Sequence, residues 1–339
     1  MTQPLKQDAA GTMLHLITGF WLSQAIFVVA KLGIADALVD GPKGVAELAR
    51  RTATNEQALY RVLRALASAG IFAEGASREF RLTPLANVLQ SDSAGSLRSY
   101  AIMSGEQWVW RSFGALLHCV QTGQPGFEHV FGDHPFEFYK KNPEAAHISM
   151  EGLTSRSAPE NAAVISAYDF GGAKQIVDIG GGEGTLLAAI LVATPTLRGI
   201  LFDVPLAAER AYQHLDAAGV RSRSEVQGGD FFRSVPAGAD VYVMKKVIHD
   251  WNDERALAIL RNCRAFMPAH GRLLMIELIV SSGNEPSFAK MLDLLMLTYL
   301  GGRERTEGEY RSLLQSAGFR LQRVIPIASP VSLMEAVPI

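Results

Sequence analysis

The pattern of apolar and polar positions changes at about residue 168. Beyond that point, short apolar runs alternate with amphipathic stretches of helical period, which is typical of an α/β domain. Thr306 with Glu309 marks the start of one of these helices as a capping box. Seven strands are predicted, at residues 175–179, 199–203, 224–228, 240–245, 272–280, 319–327 and 331–336. This part of the chain is therefore predicted to form one seven-stranded sheet.

The first hundred residues predict a small helical module with two short strands. Residues 45–51 form the first predicted helix, and Thr54 with Gln57 is a candidate capping box for the second. Extended runs at 71–73 and 79–82 follow around a turn. This order of elements is a winged-helix pattern, for which we favour a structural or dimerisation role.

Between residues 91 and 168 the chain is helical, rich in aromatic residues and interrupted by Gly and Pro. Most of these aromatics are expected in a core, and a minority could line an apolar ligand cavity. We therefore divide the chain into a winged-helix dimerisation domain (1–100), a helical connector that contributes to the substrate pocket (101–168) and a catalytic domain (169–339).

One stretch, Gly11–Ala30, contains no formally charged residue and is about long enough to cross a bilayer. However, Leu14, Ile17 and Trp21 recur at the spacing of a helix that packs on other helices. We favour a buried interface helix, with a partner subunit as its second neighbour.

The composition narrows the classes of partner. Lys and Arg number 32 against 34 Asp and Glu, a net charge of -2, which gives no electrostatic footprint for nucleic acid or an anionic membrane. The two cysteines and the start of the chain indicate neither a disulfide framework nor a secretory signal. We expect a cytoplasmic protein with a small-molecule substrate, no nucleic-acid partner and no membrane association.

A glycine-rich turn follows the first predicted strand of the sheet. Gly180, Gly182 and Gly184 would let a ligand approach the backbone closely, as in nucleotide sites. The dinucleotide fingerprint requires a third glycine where this chain has Thr185, so nicotinamide or flavin binding is less favoured. The next strand ends at Asp203, about twenty residues on, where a carboxylate can accept ribose hydroxyls.

The third and fourth strands end in further candidate binding residues. Gly229, Asp230 and Phe231 would bring an acidic acceptor and an aromatic face to an adenine ring. Lys245 ends the fourth strand and begins a cluster of ionisable groups at the same edge, because the carboxyl ends of parallel strands meet there. The glycine loop, Asp203, Asp230 and Phe231, at the ends of the first three strands, together predict an adenosine site at this edge.

His249 follows the fourth strand and is the candidate general base. Two acids could orient its ring: Glu277, inside an apolar strand where a lone carboxylate is costly to bury, and Glu304, in a later loop. We expect the imidazole to stay neutral until it takes a proton. The sequence shows neither a zinc-type histidine set nor a compact acidic ligand set, so no metal is expected.

Five segments, VDIGGGEG, LFDVP, GGDFF, MKKVIHDWND and GGRERT, together with the winged-helix pattern resemble one family over residues 12–338. The family is that of the plant caffeate-type and hydroxyindole-type O-methyltransferases and their bacterial small-molecule relatives. The resemblance implies a Rossmann-like, seven-stranded methyltransferase sheet with an N-terminal α-helical winged-helix dimerisation domain, and an intertwined homodimer.

The resemblance also implies S-adenosylmethionine as the donor, S-adenosylhomocysteine as the product, and a role for each matching residue. Those for the cofactor are Gly180, Gly182, Asp203, Asp230, Phe231 and Lys245; His249 matches the base, and Glu277 and Glu304 match the flanking acids. The plant pattern usually has Trp at Lys246, so the plant substrate pocket is not carried over.

The expected activity is methyl transfer to a hydroxyl of a small aromatic or polyketide-like molecule. Three alternatives stay open from the sequence. They are an N-methyltransferase or cofactor-binding relative with altered chemistry, a winged-helix regulator that senses a small molecule, and a nicotinamide oxidoreductase.

Overall fold

The structure is a computed structural model that describes residues 8–339, without the side chains of 206–209. The chain forms two compact units. The first contains the residues through Gln107 and His147–Arg156, and the second contains Trp108–Ala146 and Ser157–Ile339. The stretch predicted as a connector, 101–168, is thus shared between the two units.

The first unit begins with a long helix and contains a small antiparallel sheet of order β1-β3-β2. Its helices are α1 (Ala9–Lys31), α2 (Ile34–Ala37), α3 (Val45–Arg51), α4 (Glu56–Ser68), α5 (Pro84–Asn87) and α6 (Arg98–Gly105), and its strands are β1 (Lys43–Gly44), β2 (Phe72–Glu74) and β3 (Glu79–Leu82). The predicted order of helix, helix, strand and strand is present. The capping prediction was off by one residue, because the side chain of Asn55, not Thr54, accepts from the N–H of Ala58.

Helix α1 is apolar around most of its circumference and long enough to cross a membrane by length and composition. Only 11% of its most apolar 18-residue stretch is buried among the described residues. Leu14, Ile17 and Trp21 are each more than 60% exposed. The burial expected for this helix is therefore not supplied by the described part of its own chain, and this face requires a second surface.

Six helices occupy the middle of the chain: α7 (Gln107–Gly114), α8 (Leu116–Thr122), α9 (Gly126–Phe131), α10 (Pro135–Lys141), α11 (Pro143–Ser155) and α12 (Ser157–Ala167). Within the second unit, Phe127 packs edge-on against Phe138 and against Tyr299, with ring centroids 5.3 and 4.9 Å apart. Phe127 is fully buried in this cluster, whereas Phe113 and Phe136 are 38% and 40% exposed, so the expected core position is confirmed for only part of the aromatic set.

All seven predicted strands of the large sheet are present, with ends shifted by at most two residues. They are β4 (Gln175–Ile179), β5 (Arg198–Asp203), β6 (Ser224–Gly228), β7 (Val241–Lys245), β8 (Arg272–Leu278), β9 (Phe319–Pro326) and β10 (Val331–Pro338). The order is β6-β5-β4-β7-β8-β10-β9, in which the first five strands are parallel and β10 runs antiparallel to both its neighbours.

Five helices follow the strands: α13 (Thr185–Ala193), α14 (Pro205–Ala217), α15 (Asp253–Phe266), α16 (Phe288–Tyr299) and α17 (Glu307–Ser316). The predicted capping box of α17 forms, with Thr306 and Glu309 bonded reciprocally. Alternate strand residues enter opposite cores: Leu273 and Met275 lie in one hydrophobic cluster and Leu274 in the other. This alternation fixes which side chains remain at the strand ends, where the candidate site lies.

Candidate active site

The loop after β4 adopts a backbone that only glycine accepts without strain. Gly180, Gly182 and Gly184 have φ values of +67°, +55° and +77°. A Cβ at Gly180 would lie 2.7 Å from the side chain of Val247, whereas a Cβ at Gly182 would have no atom within 4 Å. The loop is therefore packed against the end of β7 at Gly180 and open at Gly182, where a ligand can approach the main chain.

Asp203, at the end of β5, braces this loop. Its Oδ2 accepts from the N–H of Gly182 at 2.8 Å, and its Oδ1 accepts from the N–H of Val204 at 2.6 Å. Burial raises the pKa of Asp203, while these two bonds act in the opposite direction. A carboxylate with two oxygens retains lone pairs for further donors such as ribose hydroxyls.

The residues after β6 lie beside Asp203. The N–H of Gly229 donates to the carbonyl of Asp203 at 2.9 Å, and a Cβ at Gly229 would lie 2.3 Å from the Phe202 ring. Asp230 is half exposed, and Phe231 meets Trp251 edge-on with ring centroids 6.0 Å apart. The structure thus brings the predicted adenine-side residues together and adds Trp251 to them.

Lys245, at the end of β7, belongs to a buried polar cluster with Glu160 and Asn161, and the sequence pattern did not predict this cluster. Its Nζ donates to Asn161 Oδ1 at 2.5 Å and lies 3.9 Å from Glu160 Oε2. Lys246, with φ +56°, bonds to the other oxygen of Glu160, and the amide of Asn161 donates to Thr185 at the start of α13. Helix α12 is thereby joined to the end of β7 and to the end of the glycine loop.

Asp178 adds a second carboxylate to this cluster. Burial raises its pKa to about 7, against the lowering effect of Lys245. Burial also lowers the pKa of Lys245 to about 8. Among the described residues, Asp178 Oδ2 and Glu160 Oε2 are buried and have no hydrogen-bond donor. A buried carboxylate oxygen without a donor is costly, so these two atoms favour a site for a ligand with an N–H group.

His249 lies on a one-turn 3₁₀ segment, Ile248–Asp250, and is 6% exposed. Its Nδ1 is 2.6 Å from Glu304 Oε1, and its Nε2 is 3.2 Å from Asp250 Oδ1. The sequence left open which acid holds the ring. In the structure Glu304 makes the direct bond, although its sequence context is that of an ordinary loop charge.

Glu277 plays a different part. Its Oε1 accepts from the N–H groups of Val247 and Ile248 at 3.1 and 2.9 Å, and its Oε2 lies 3.9 Å from His249 Nδ1. Burial raises the pKa of Glu277 to about 7, while His249 acts to lower it. Glu277 therefore fixes the backbone just before His249, and its second oxygen lies near Nδ1 of the ring.

The charges around His249 act against the neutral ring expected from the sequence. Burial alone would lower the pKa of His249, but the charges of Glu277 and Asp250 and hydrogen bonds to Asp250 and Glu304 raise it well above 6.5. Three carboxylates lie close to the ring and favour its protonated form. His249, Glu277 and Glu304 also have ligand atoms within 4.8 Å of one another, a spacing that could hold a metal ion.

Two family matches cover most of the chain. Residues 113–320 match the O-methyltransferase domain family, and residues 14–92 match the O-methyltransferase dimerisation domain family. Phenazine O-methyltransferase PhzM of Lysobacter antibioticus is 47% identical over 96% of both chains. Mitomycin biosynthesis 6-O-methyltransferase of Streptomyces lavendulae is 38% identical over 96% of this chain and 94% of its own.

Solved structures agree with these matches. The structure of LaPhzM has a TM-score of 0.94 at 46% identity and covers 98% of this chain and all of that one. NcsB1 from neocarzinostatin biosynthesis, solved with S-adenosylmethionine and a naphthoic acid, has a TM-score of 0.83 at 31% identity, covering 94% and 96% of the two chains. This chain, with its methyltransferase sheet and N-terminal helical dimerisation domain, belongs to the S-adenosylmethionine-dependent O-methyltransferase family.

Proposed function

We propose that this enzyme transfers a methyl group from S-adenosylmethionine to a hydroxyl of a small aromatic or polyketide-like molecule, with His249 as the general base. The observation that carries the proposal is the buried contact of His249 with Glu304. This base lies close to the glycine loop in the fold, because Val247, two residues before His249, packs against Gly180. A base is useful at this position for a hydroxyl acceptor, which must lose a proton.

The residues present fit the donor. Its amino-acid end carries an ammonium group, and two buried carboxylate oxygens, Asp178 Oδ2 and Glu160 Oε2, have no donor among the described residues. The donor also carries a carboxylate, to which the Lys245 ammonium can donate a hydrogen bond. We propose that the residues implied by the resemblance, together with Gly229 from the strand-end pattern, hold the donor: Gly180, Gly182, Asp203, Gly229, Asp230, Phe231 and Lys245. When bound, the donor supplies a methyl group on a sulfonium, which needs no further activation.

The residues around His249 then handle the acceptor proton. Glu304 accepts from Nδ1–H and fixes the tautomer in which Nε2 is the basic nitrogen. Asp250 lies 3.2 Å from that nitrogen, so we propose that the acceptor hydroxyl replaces or shares this contact. His249 takes the proton at Nε2, and the charge of Glu277 stabilises the imidazolium that forms.

The relatives support an aromatic acceptor and leave its identity open. Their names include a phenazine, a mitomycin and a 3-amino-4-hydroxybenzoate O-methyltransferase. A dimethyltransferase that acts on the nitrogen of an aminoriboflavin is 32% identical, and the aclacinomycin hydroxylase RdmB is 35% identical. The His249–Glu304 pair favours an oxygen acceptor, because a hydroxyl must lose a proton whereas an amine already offers a lone pair.

The dimerisation domain supports a homodimer, whose second subunit would cover the exposed face of α1. We propose in addition that the two chains intertwine, that residues 101–168 contribute to the substrate pocket, and that the enzyme acts in the cytoplasm without nucleic-acid or membrane partners. Sedimentation with and without lipid vesicles tests whether α1 is a dimer-interface helix. We expect a dimer that does not co-sediment with the vesicles, and vesicle binding would contradict this proposal.

The test of the function is direct. The purified enzyme is incubated with S-adenosylmethionine carrying a deuterated methyl group and with matched hydroxy and amino derivatives of phenazine and naphthoate. We expect a labelled methyl ether from a hydroxy compound and stoichiometric S-adenosylhomocysteine, both detected by mass spectrometry. Labelled product from the amino compounds alone would favour the N-methyltransferase alternative.

A further inference from the structure

We infer that Arg305 is a positioning residue for the base: its buried guanidinium holds the segment on which His249 lies. The inference rests on the proposed function, since it assigns a role in placing the proposed base. It concerns a residue that touches neither the ring of His249 nor the glycine loop in the structure.

The environment of Arg305 is unusual for an arginine. The residue is 1% exposed, while its ion-pair partner Asp253 has a side chain that is 61% exposed. Nε and Nη2 donate to Asp253 Oδ1 at 2.9 and 2.7 Å. A buried guanidinium is costly unless its donors are used; Nη1 donates to the carbonyl of Arg303 at 3.2 Å, and the other bonds go to residues 248–253.

The remaining donors bracket the base. Nη1 donates to the carbonyl of Ile248 at 3.2 Å, and Nη2 donates to the carbonyl of Trp251 at 2.8 Å. These carbonyls stand one residue before and two residues after His249. A single 3₁₀ turn has poor internal hydrogen bonding, so it depends on outside partners to fix its conformation.

The backbone next to Arg305 reinforces this contact. The N–H of Arg303 donates to the carbonyl of His249 at 2.9 Å. A Cβ at Gly302 would lie only 2.1 Å from that same carbonyl oxygen, so glycine allows the two segments to meet. Residues 302–305 therefore pack directly against the turn, and Glu304, which lies between Arg303 and Arg305, bonds to the His249 ring.

The other end of this segment is anchored to the sheet side of the site. The N–H of Val280 donates to the carbonyl of Arg305 at 2.9 Å, just beyond β8, which carries Glu277. The N–H of Glu304 donates to Asp293 of α16 at 2.8 Å. Arg305 thus links the loop that contains Glu304, which is bonded to the end of β8, to the turn that contains His249.

The guanidinium fork is what this geometry requires. It reaches three carbonyls, those of Ile248, Trp251 and Arg303, and one carboxylate at once, which a lysine ammonium with its single nitrogen does not reproduce. Misplacing a catalytic group by about 1 Å can cost about 10²-fold in rate. We therefore expect Arg305→Met to lower kcat by about that factor, and Arg305→Lys to lower it by about tenfold.

The experiment compares Arg305→Met and Arg305→Lys with Arg311→Met, a matched control in which an exposed arginine of α17 that pairs with Glu307 is removed. kcat and KM are measured on the accepted hydroxy compound, and S-adenosylhomocysteine affinity is measured by calorimetry. We expect a loss in kcat, with donor affinity retained within about threefold, for the Arg305 variants alone.

A double variant separates positioning from general structure. In a His249→Gln background the base is already absent, so Arg305→Met should cost little further rate. An equal cost in both backgrounds, or an Arg305→Lys enzyme that matches the wild type, would overturn the inference. If Arg305→Met does not fold, Arg305→Lys in the two backgrounds decides the matter.

A readout independent of turnover keeps the inference distinct from the proposed function. His249 is followed by NMR with histidine labelled at Cε1, and its signal among the 8 histidines is assigned with His249→Gln. Arg305→Lys keeps the charge but loosens the contacts with Glu304 and Asp250, so the pKa of His249 should fall toward 6.5. An unchanged titration would overturn the inference even if no methyl acceptor were found, whereas a fall without any methyl transfer would contradict only the proposed function.

Discussion

Replacing His249 with Gln removes the proposed base and keeps a donor for Glu304, because the Gln amide can bond to the carboxylate that holds Nδ1 at 2.6 Å. A phenol with a pKa of about 10 is roughly 0.1% ionised at pH 7, a deficit of about 4 kcal/mol for attack by the phenolate. A positioned base contributes about 10²- to 10⁴-fold. We expect kcat of His249→Gln to fall by about 10²-fold at pH 7, the lower end of that range, because the raised pKa of His249 leaves part of the wild-type ring protonated there; KM should change little.

The pH dependence sharpens this prediction. The pKa of His249 is raised above 6.5, so the base form accumulates only as pH rises through that higher value, and wild-type kcat should rise with pH and then level off. The variant depends on phenolate in solution, so its residual rate should rise about tenfold per pH unit up to the phenol pKa. Initial rates from pH 6 to pH 9, with S-adenosylhomocysteine as the measured product, give both profiles.

One result would refute this reasoning. A His249→Gln enzyme that keeps wild-type kcat within about tenfold at pH 7, and shows the wild-type pH profile, has lost nothing that a base supplies. A thermal melt of the variant, compared with that of the wild type, ensures that the rates refer to folded protein.

Three further predictions concern the donor site and metal. Asp203→Asn removes the charge that accepts from Gly182, so S-adenosylhomocysteine should bind about tenfold to 10²-fold more weakly by calorimetry; unchanged affinity would contradict its role. Gly229→Ala places a Cβ 2.3 Å from the Phe202 ring, so the free energy of unfolding should fall by about 1–3 kcal/mol. The melting temperature and the affinity for S-adenosylhomocysteine should fall with it; a melting temperature equal to that of the wild type would contradict this close approach. Incubation with EDTA should leave turnover unchanged, and a loss that a divalent cation restores would mean that the His-Glu-Glu group binds a metal.

The strands and the face that each residue occupies could be predicted because burial on both faces of a parallel sheet leaves uninterrupted apolar runs. The same physics singled out Glu277, a carboxylate inside such a run. Asp178 gave the same signal, since it lies between Ile176 and Ile179 in β4, and its place in the site could have been anticipated.

The rest of the site depends on long-range contacts that no local pattern carries. Glu160 and Asn161 lie on a helix about eighty residues before the lysines they bind. Glu304 and Arg305 lie in a loop whose charges look solvated in the sequence, yet they are 3% and 1% exposed. Their burial follows from the close approach at Gly302, which only the folded backbone reveals.

The protonation of His249 is a third case. The sequence showed two candidate acids, and a neutral imidazole was expected beside one of them. The fold brings three carboxylates close to the ring, and their charges raise the pKa of His249 against the effect of burial. The direction of a pKa shift depends on all the charges around a group, and these are known only once the loops are in place.

The central claim is that His249 takes the proton of an acceptor hydroxyl beside the methyl donor. A crystal structure with S-adenosylhomocysteine and the unmethylated acceptor tests it most directly. We predict the acceptor oxygen within hydrogen-bond distance, about 2.6–3.2 Å, of His249 Nε2 and facing the sulfur. An acceptor oxygen held elsewhere, with Nε2 still bonded to Asp250 and no room for a bridging water, would contradict the account.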